Sequence, residues 1–351
     1  MKNYFIRFGF AVFVLTITSF LSFAGTEPQQ EEIGKEATLY GEEEYNAYTN
    51  AANEPDYEKR GDRLVQFTRD YPKTALMPYV SSAYRSLLFF CREEEQYELL
   101  GFLADKWLEI QPNNLWAIGY SADAAKQLGH HQKYVRLLER IYEVQPSGDT
   151  AREIALVHKE LGDHDGFVEW AERIFSDHPE YNADYELRYL LMLQYVQTGE
   201  MDKAAEYARL SLKAAGLVTS RDQAVLEHVG KVRHSCYDTI GKIQYSSGEY
   251  SHAVKSFQEA LNLDRYSEGY YFIGLSLWNM KRVDDGMIFL AAAELQDDGC
   301  APKAKDNLER LYRSIHNNTT VGIHKVYNKA KDLMAGKLAV PLILDNLYTS
   351  K

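Results

Sequence analysis

The chain has 351 residues, of which 45% are apolar and 26% are charged. This composition excludes wholesale disorder, and the length suffices for two ordinary domains or for one long array of repeats. The formal net charge of −12 disfavours nucleic acid and anionic lipid as partners, because both present dense negative charge.

The first 24 residues have the pattern of a secretory signal peptide. Lys2 and Arg7 precede an apolar run from Phe8 to Phe23, and small residues suited to cleavage stand at Ser22 and Ala24. The run is about 16 residues long, shorter than the ~20 that span a bilayer. The pattern therefore predicts cleavage and export to the periplasm or beyond, with no stable membrane span in the mature protein. The polar residues 25–35 are expected to form a flexible leader.

From residue 36 onward, apolar residues recur at helical spacing and prolines interrupt them at regular intervals. Pro112, Pro146 and Pro179 follow one another after 34 and 33 residues, which indicates a repeated unit of that length because proline ends a helix. The pattern predicts seven helix pairs, at 36–70, 75–110, 114–145, 149–178, 182–215, 222–263 and 267–296. A further helix is predicted at 302–316, and residues 317–351 are expected to form a capping helix, ending near Met334, and a tail.

Glycine recurs at one place in four of these pairs, after 33, 37 and 49 residues: Gly129, Gly162, Gly199 and Gly248. Residues five, nine and twelve positions after each glycine are mostly apolar and would share one side of a helix. The glycines therefore mark the turn inside each pair, and one helix–turn–helix unit is repeated. About 15 additional residues, 217–231, are expected to lengthen the leading helix of the sixth pair.

The sixth and seventh pairs resemble the tetratricopeptide repeat. The residues that carry the resemblance in the sixth pair are Tyr237, Ile240, Gly241, Gly248, Ala253, Phe257 and Ala260. The seventh pair supplies Gly274, Leu290 and Ala293, with Gly286 where the family usually has alanine. The resemblance covers about residues 36–316. The chain is also similar to exported bacterial repeat proteins of unassigned role. It implies an all-α solenoid, a right-handed superhelix of about seven helix pairs with a C-terminal capping helix.

In this family the first helix of each pair lines a concave groove, and the family's groove positions can be carried onto this chain. They give the candidate partner-binding residues Trp116, Lys126, Arg152, Lys159, Tyr189, Lys242, Tyr245, Tyr271 and Trp278. The aromatic members provide rigid amphipathic surface at one end, and Lys126, Arg152 and Lys159 provide a basic cluster at the other. Family members that hold a peptide carboxylate also use asparagine, which is replaced here by Asp123, Leu156 and Leu193.

The sequence carries no motif for catalysis, for a cofactor or for a metal. Paired histidines at zinc spacing, CxxC, the P-loop and the nucleophile elbow are all missing from it. Residues 162–166 superficially resemble a calcium loop, but Ile174 stands where such a loop needs a bidentate glutamate. The segment is therefore interpreted as a turn between helices, and no metal and no cofactor is predicted.

The three cysteines, Cys91, Cys236 and Cys300, fall in different units. Helices two units apart are separated by roughly 20 Å, whereas a disulfide needs Cα atoms within about 7 Å. We therefore expect three buried thiols that are not joined in disulfides.

These observations favour a non-enzymatic scaffold of the bacterial cell envelope that binds a peptide or protein in the concave groove. Two alternatives stay open. The chain could be the helical platform of a cell-wall or envelope enzyme system, or a structural spacer that self-associates through the helix at 222–245 or through its tail. The sequence identifies neither the partner nor the oligomeric state.

Overall fold

Residues 40–340 are the part of the chain that the computed structural model describes. This part is all-helical, with sixteen α-helices and no strand. None of the helices within it combines the length and the apolar character needed to cross a bilayer. The predicted signal peptide, the predicted leader and residues 341–351 lie outside the described range.

The helices follow one another with short connections. The first eight are α1 (Glu42–Ala52), α2 (Tyr57–Asp70), α3 (Met77–Glu93), α4 (Tyr97–Ile110), α5 (Leu115–Gln127), α6 (His131–Val144), α7 (Gly148–Glu160) and α8 (His164–Asp177). The next eight are α9 (Tyr185–Thr198), α10 (Met201–Ala215), α11 (Gln223–Ser246), α12 (Tyr250–Leu263), α13 (Ser267–Asn279), α14 (Val283–Leu295), α15 (Ala301–Ile315) and α16 (His324–Met334). A short 3₁₀ helix at Pro179–Ala183 joins α8 to α9.

The helices α1 to α14 follow one another in the chain at the positions predicted for seven helix pairs, so the predicted all-α repeat fold is confirmed. The two helices predicted after the seventh pair are α15 and α16. In the sixth pair, α11 has 24 residues and begins after Asp222, whose side chain accepts a hydrogen bond from the Ala224 amide and so caps the helix. Residues 217–222 therefore form the connection, and only the rest of the predicted extension is helical.

The recurring glycines adopt the left-handed backbone that favours glycine, at the end of the first helix of four pairs. Their φ angles are 70° at Gly129, 71° at Gly162, 82° at Gly199 and 79° at Gly248. Glycine is suited to these positions because it has no Cβ to clash with the backbone. Glu95 in the α3–α4 turn and Lys281 in the α13–α14 turn adopt the same backbone region, with φ angles of 56° and 64°. The turn geometry therefore recurs in two pairs where the glycine pattern does not.

The chain divides into two compact units, with the boundary inside α3 after Phe90. In the first unit, Phe67 of α2 is buried and packs against the rings of Tyr48 and Tyr71 at centroid distances of 6.0 and 4.9 Å. The second unit begins at Cys91 and contains all nine candidate partner-binding residues.

Apolar side chains packed between successive hairpins form the core of the second unit. One cluster joins α5 to α10 and includes the fully buried Ile154 and Leu191. A second joins α12 to α16 around Phe257 and Ile273, and Met192 of α9 lies in a third with residues of α10 and α11. Each hairpin thus buries its apolar side against its neighbours, as stacked repeats require.

The α13 and α14 backbones approach closely at two glycines, which explains why glycine replaces the alanine usual in the repeat. A Cβ on Gly286 would lie 2.8 Å from the carbonyl oxygen of Gly274 and 3.2 Å from the amide nitrogen of Trp278. We expect Gly286→Ala to lower the free energy of unfolding by about 1–2 kcal/mol, because the overpacking outweighs the ~1 kcal/mol gained from alanine's helix propensity.

Gly230→Ala in α11 is the matched control for that substitution. A Cβ there would meet no atom within 4 Å, so the helix propensity alone acts and stability should rise by about 0.5–1 kcal/mol. Chemical denaturation of both variants measures the difference. Equal effects of the two substitutions would contradict the close approach of α13 and α14.

The prediction of three buried thiols is wrong for one of them. Cys91 and Cys236 are buried, but Cys300, the residue just before α15, is partly exposed. Burial raises the pKa of the Cys236 thiol to about 11. Because the thiolate is the reactive species, N-ethylmaleimide at pH 7 should modify Cys300 first in the folded protein. Mass spectrometry after timed pulses checks the order, and early labelling of Cys236 would contradict the packing of α11.

Candidate partner-binding face

The helices α5, α7, α9, α11 and α13, each the first of its hairpin, carry all nine candidate residues. We call the surface that these residues form on the five helices the first-helix face. Lys126, Lys159 and Trp278 are exposed, and the other six candidates are partly buried.

Lys126 of α5 is held by the neighbouring first helix. Its Nζ lies 2.7 Å from Oε1 of Glu153 in α7, and that oxygen also accepts a hydrogen bond of 2.9 Å from the Tyr134 hydroxyl. The ammonium group lies 5.3 Å from the centroid of the Tyr134 ring. Lys126 therefore links two repeats.

Arg152 of α7 makes the most buried of these links. Its Nε donates to Oδ2 of Asp184 at 2.7 Å, and its Nη2 lies 3.5 Å from Oε2 of Glu186 in α9. Burial alone would lower the pKa of Arg152, but the two carboxylates outweigh it and raise that pKa. Asp184 also accepts from the Leu187 amide and so caps α9. On its far side Glu186 lies 3.5 Å from Nε2 of His228 in α11.

Lys242 of α11 has two acidic partners. Its Nζ lies 2.8 Å from Oδ2 of Asp238 in the same helix and 2.7 Å from Oε2 of Glu268 in α13. Burial would lower the pKa of Lys242, and the hydrogen bonds to the two carboxylates raise it on balance. The Tyr266 hydroxyl donates to the other oxygen of Asp238 at 2.7 Å, which fixes this carboxylate between the two helices.

In the predicted basic cluster, Lys126 and Arg152 are therefore paired with carboxylates, and within the described range Lys159 is not. Five carboxylates meet the three cations Lys126, Arg152 and Lys242 in these links. Lys159 alone among the four basic candidates has no ion pair with a residue between 40 and 340. The linked cations stabilise the stacking of repeats, and among the four basic candidates Lys159 is the one whose charge is not paired within residues 40–340.

Three aromatic candidates lie together on α11 and α13, and we call Tyr245, Tyr271 and Trp278 the aromatic end. Phe272 connects the two tyrosines, with its ring centroid 5.1 Å from that of Tyr245 and 5.4 Å from that of Tyr271. The Tyr271 hydroxyl accepts a hydrogen bond of 3.0 Å from Asn307 in α15. Burial is the main cause that raises the pKa of both tyrosines, so both are neutral hydroxyl groups at physiological pH.

Trp116 and Tyr189 contribute mainly to packing. The Trp116 ring lies 5.4 Å from the buried Trp107 of α4, at an interplanar angle of 35°. Tyr189 packs against the cluster that contains Met192 and Cys236. The described structure thus separates the nine candidates into charged links, packing aromatics and an aromatic end that includes the exposed Trp278.

Residues 234–266, which form the end of α11, all of α12 and the turn before α13, match the model of the tetratricopeptide repeat. This match identifies one tetratricopeptide repeat, in the sixth helix pair. No curated protein matches it in sequence. Similar solved structures include MamA AMB-1 (21% identity, TM-score 0.39, covering 51% of this chain and 88% of that one). A second is MamA MSR-1, with 18% identity and a TM-score of 0.36, covering 56% of this chain and 97% of that one. A third is YrrB, described as a TPR protein with an unusual peptide-binding site, with 12% identity and a TM-score of 0.38, covering 57% of this chain and 92% of that one.

The acidic partners Glu153 and Asp184 were missed among the sequence-based candidates. The links join residues about one repeat apart: 27 residues separate Lys126 from Glu153, 32 separate Arg152 from Asp184, and 26 separate Lys242 from Glu268. A search for opposite charges at that separation on first helices would have found them. Groove positions taken one repeat at a time could not reveal these acidic partners, because each ion-pair link joins residues of two repeats.

On the second helices of the repeats, an open cleft lies between α6 and α8. Five carboxylates line it, those of Glu139, Glu143, Asp163, Asp165 and Glu169. His158 lies beneath, with Nδ1 2.8 Å from Oδ2 of Asp163, and a Cβ on Gly166 would clash with its ring at 2.4 Å. In the described range, no group of three or more histidine, cysteine or carboxylate side chains is placed to hold a metal ion.

The calcium-like segment 162–166 is a helix cap, as predicted for a turn between helices. The Gly166 amide donates to Oδ1 of Asp163 at 3.1 Å. This hydrogen bond is the main cause that lowers the pKa of Asp163, and the hydrogen bond with His158 adds to it. The acidic and glycine residues of the segment are thus explained by the start of α8.

Proposed function

We propose that this chain is a non-enzymatic docking protein of the bacterial cell envelope that binds a peptide or an extended protein segment on its first-helix face. Tetratricopeptide-repeat proteins bind protein or peptide partners. A row of first helices offers a long surface for such binding, and it needs only complementary side chains and no catalytic group.

The exposed Trp278, which follows Tyr271 after seven residues on α13, is the observation that carries this proposal. Trp278 is 36% exposed, while Tyr245 and Tyr271 are partly buried and are held by Phe272 and Asn307. Rigid aromatic groups lose little conformational entropy on binding and provide much of the contact energy of protein interfaces. Trp278 is therefore the anchor that we propose for the partner.

Affinity capture after crosslinking in the bacterium that encodes the chain tests this docking role. Trp278→Ala should reduce the captured partner at least tenfold, because truncation of a hot-spot residue costs about 2 kcal/mol or more. Phe102→Ala is the control: Phe102 is 44% exposed on α4, the second helix of its pair. An equal loss in both variants, or no loss in Trp278→Ala, would contradict the proposed face.

Export is a separate part of the proposal and rests on the signal-peptide pattern of residues 1–24. We propose that the mature protein begins at Gly25, after cleavage that follows Ala24. N-terminal sequencing of the protein purified from its native cell gives a direct answer. An intact Met1 in the envelope fraction would indicate an anchored form instead.

A further inference from the structure

The links of the first-helix face leave an excess of negative charge at exposed positions. The side chains of Glu186 and Glu268 are 46% and 42% exposed although each takes part in an ion pair. Asp149 of α7 is also exposed and accepts a hydrogen bond from the Tyr181 hydroxyl. An acidic ligand would meet these carboxylates, and Lys159 would be the only unlinked cation among the basic candidates available to it.

Carboxylates and apolar side chains follow a common order along three of the helices, although the Asp238 side chain in α11 is only 16% exposed. In α9, Glu186 is followed after seven and ten residues by the exposed Leu193 and Val196. Seven residues return to nearly the same side of an α-helix, about 20° away, whereas ten residues lead to the adjacent side, about 80° away. The carboxylate therefore stands nearer the start of the helix, and the apolar side chains stand nearer its end.

The same order holds in α11 and α13. Asp238 is followed after seven residues by Tyr245, and Glu268 is followed after ten by Trp278. Because hairpin helices alternate in direction, successive first helices run the same way. The three helices thus place an acidic row beside an apolar row, and both rows cross α9, α11 and α13.

Resting on the docking role proposed above, we infer that the partner segment is an extended peptide that carries lysine or arginine among apolar residues. Its basic groups would lie along the acidic row at Glu186 and Glu268, and its apolar groups would lie against Leu193, Tyr245 and Trp278. Adjacent helices are about 8–10 Å apart, so about six extended residues cross from α9 to α13. The net charge of −12 would also attract such a segment and repel an acidic one.

Three fluorescein-labelled peptides of twelve residues test this inference by fluorescence anisotropy on the full mature chain. All three contain the same two tryptophans and two leucines, and they differ in four positions that are lysine, glutamine or glutamate. We expect the lysine peptide to bind at least tenfold more tightly than the glutamine peptide, and the glutamate peptide to bind more weakly than both. The preference for lysine should fall as salt is raised.

Charge-removing variants show which carboxylates cause the preference for the lysine peptide. Glu186→Gln with Glu268→Gln should weaken the lysine peptide at least fivefold and leave the glutamine peptide within twofold. The control pair, Glu206→Gln with Glu259→Gln, removes the same charge from the second helices α10 and α12 and should change none of the three affinities by more than twofold. Thermal melts confirm that all variants are folded.

Several outcomes would overturn the inference. They are failure of all three peptides to bind, equal affinities for the three, tighter binding of the glutamate peptide, and a lysine preference unchanged by Glu186→Gln with Glu268→Gln. If the lysine preference survives Glu186→Gln with Glu268→Gln but is lost in Glu139→Gln with Glu169→Gln, the basic peptide binds in the cleft between α6 and α8. If Trp278→Ala weakens the lysine and glutamine peptides alike, the docking face stands even where the charge preference fails. If Trp278→Ala changes neither affinity, the docking face itself is contradicted.

Discussion

Replacement of Phe257 by alanine should lower the free energy of unfolding by about 3–5 kcal/mol. Phe257 is fully buried in α12, and its ring stacks on Phe272 of the next hairpin at 5.2 Å and an interplanar angle of 5°. The ring also lies against Gly241 of α11, where a Cβ would come within 2.9 Å. Its removal leaves a cavity between the hairpin of α11 and α12 and the next hairpin, which begins with α13.

Gly241→Ala distinguishes this packing from a general weakness of the array. In the natural chain the new methyl group would press on the Phe257 ring and destabilise the protein, whereas in the Phe257→Ala background it would find space and add helix propensity. Guanidinium denaturation of the two single variants and the double variant measures the coupling between the sites. Additive effects, or a loss below about 1 kcal/mol for Phe257→Ala alone, would contradict the described packing of α11, α12 and α13.

Replacement of Arg152 by methionine should cost about 2–3 kcal/mol, between the small value typical of exposed ion pairs and the 3–5 kcal/mol of fully buried ones. The Arg152 and Asp184 side chains are only 18% and 15% exposed. Methionine fills a similar volume but leaves Asp184 and Glu186 without their shared cation. The loss should appear in thermal and chemical denaturation.

Lys159→Met provides the control within the same helix. Lys159 is exposed and has no ion pair within residues 40–340, so its replacement should change stability by less than about 0.5 kcal/mol. Both residues were selected from the sequence for the same role. If the two variants had equal stability, Arg152 would not be the structural link described above.

The helices of this protein could be predicted well because their boundaries depend on local chemistry. Pro112, Pro146 and Pro179 follow the ends of helices, and the recurring glycine stands at four turns, as predicted. Glu95 and Lys281 show the limit of that reasoning. They adopt the same left-handed backbone without being glycine, because the flanking helices determine the turn even where the residue does not favour it.

The functional residues were predicted less completely because their environment depends on neighbouring repeats. The family's groove positions led to Lys126, Arg152 and Lys242, but only the stacked repeats show carboxylates within 2.7 Å of each. Gly286 gives a similar lesson, since its departure from the family pattern is explained only by its distance to Gly274. The exposure of Cys300 likewise depends on how α15 begins, which no spacing in the sequence reveals.

Photo-crosslinking in living cells tests the docking face most directly. A photoreactive amino acid would be placed singly at Lys159, Leu193 and Trp278 on first helices, and at Phe102, Met201 and Leu263 on second helices, where it would replace side chains that are likewise exposed. We predict one and the same protein crosslinked from Leu193 and Trp278, and no such product from the three second-helix positions. A partner captured only from the second helices would contradict the assignment of the first-helix face.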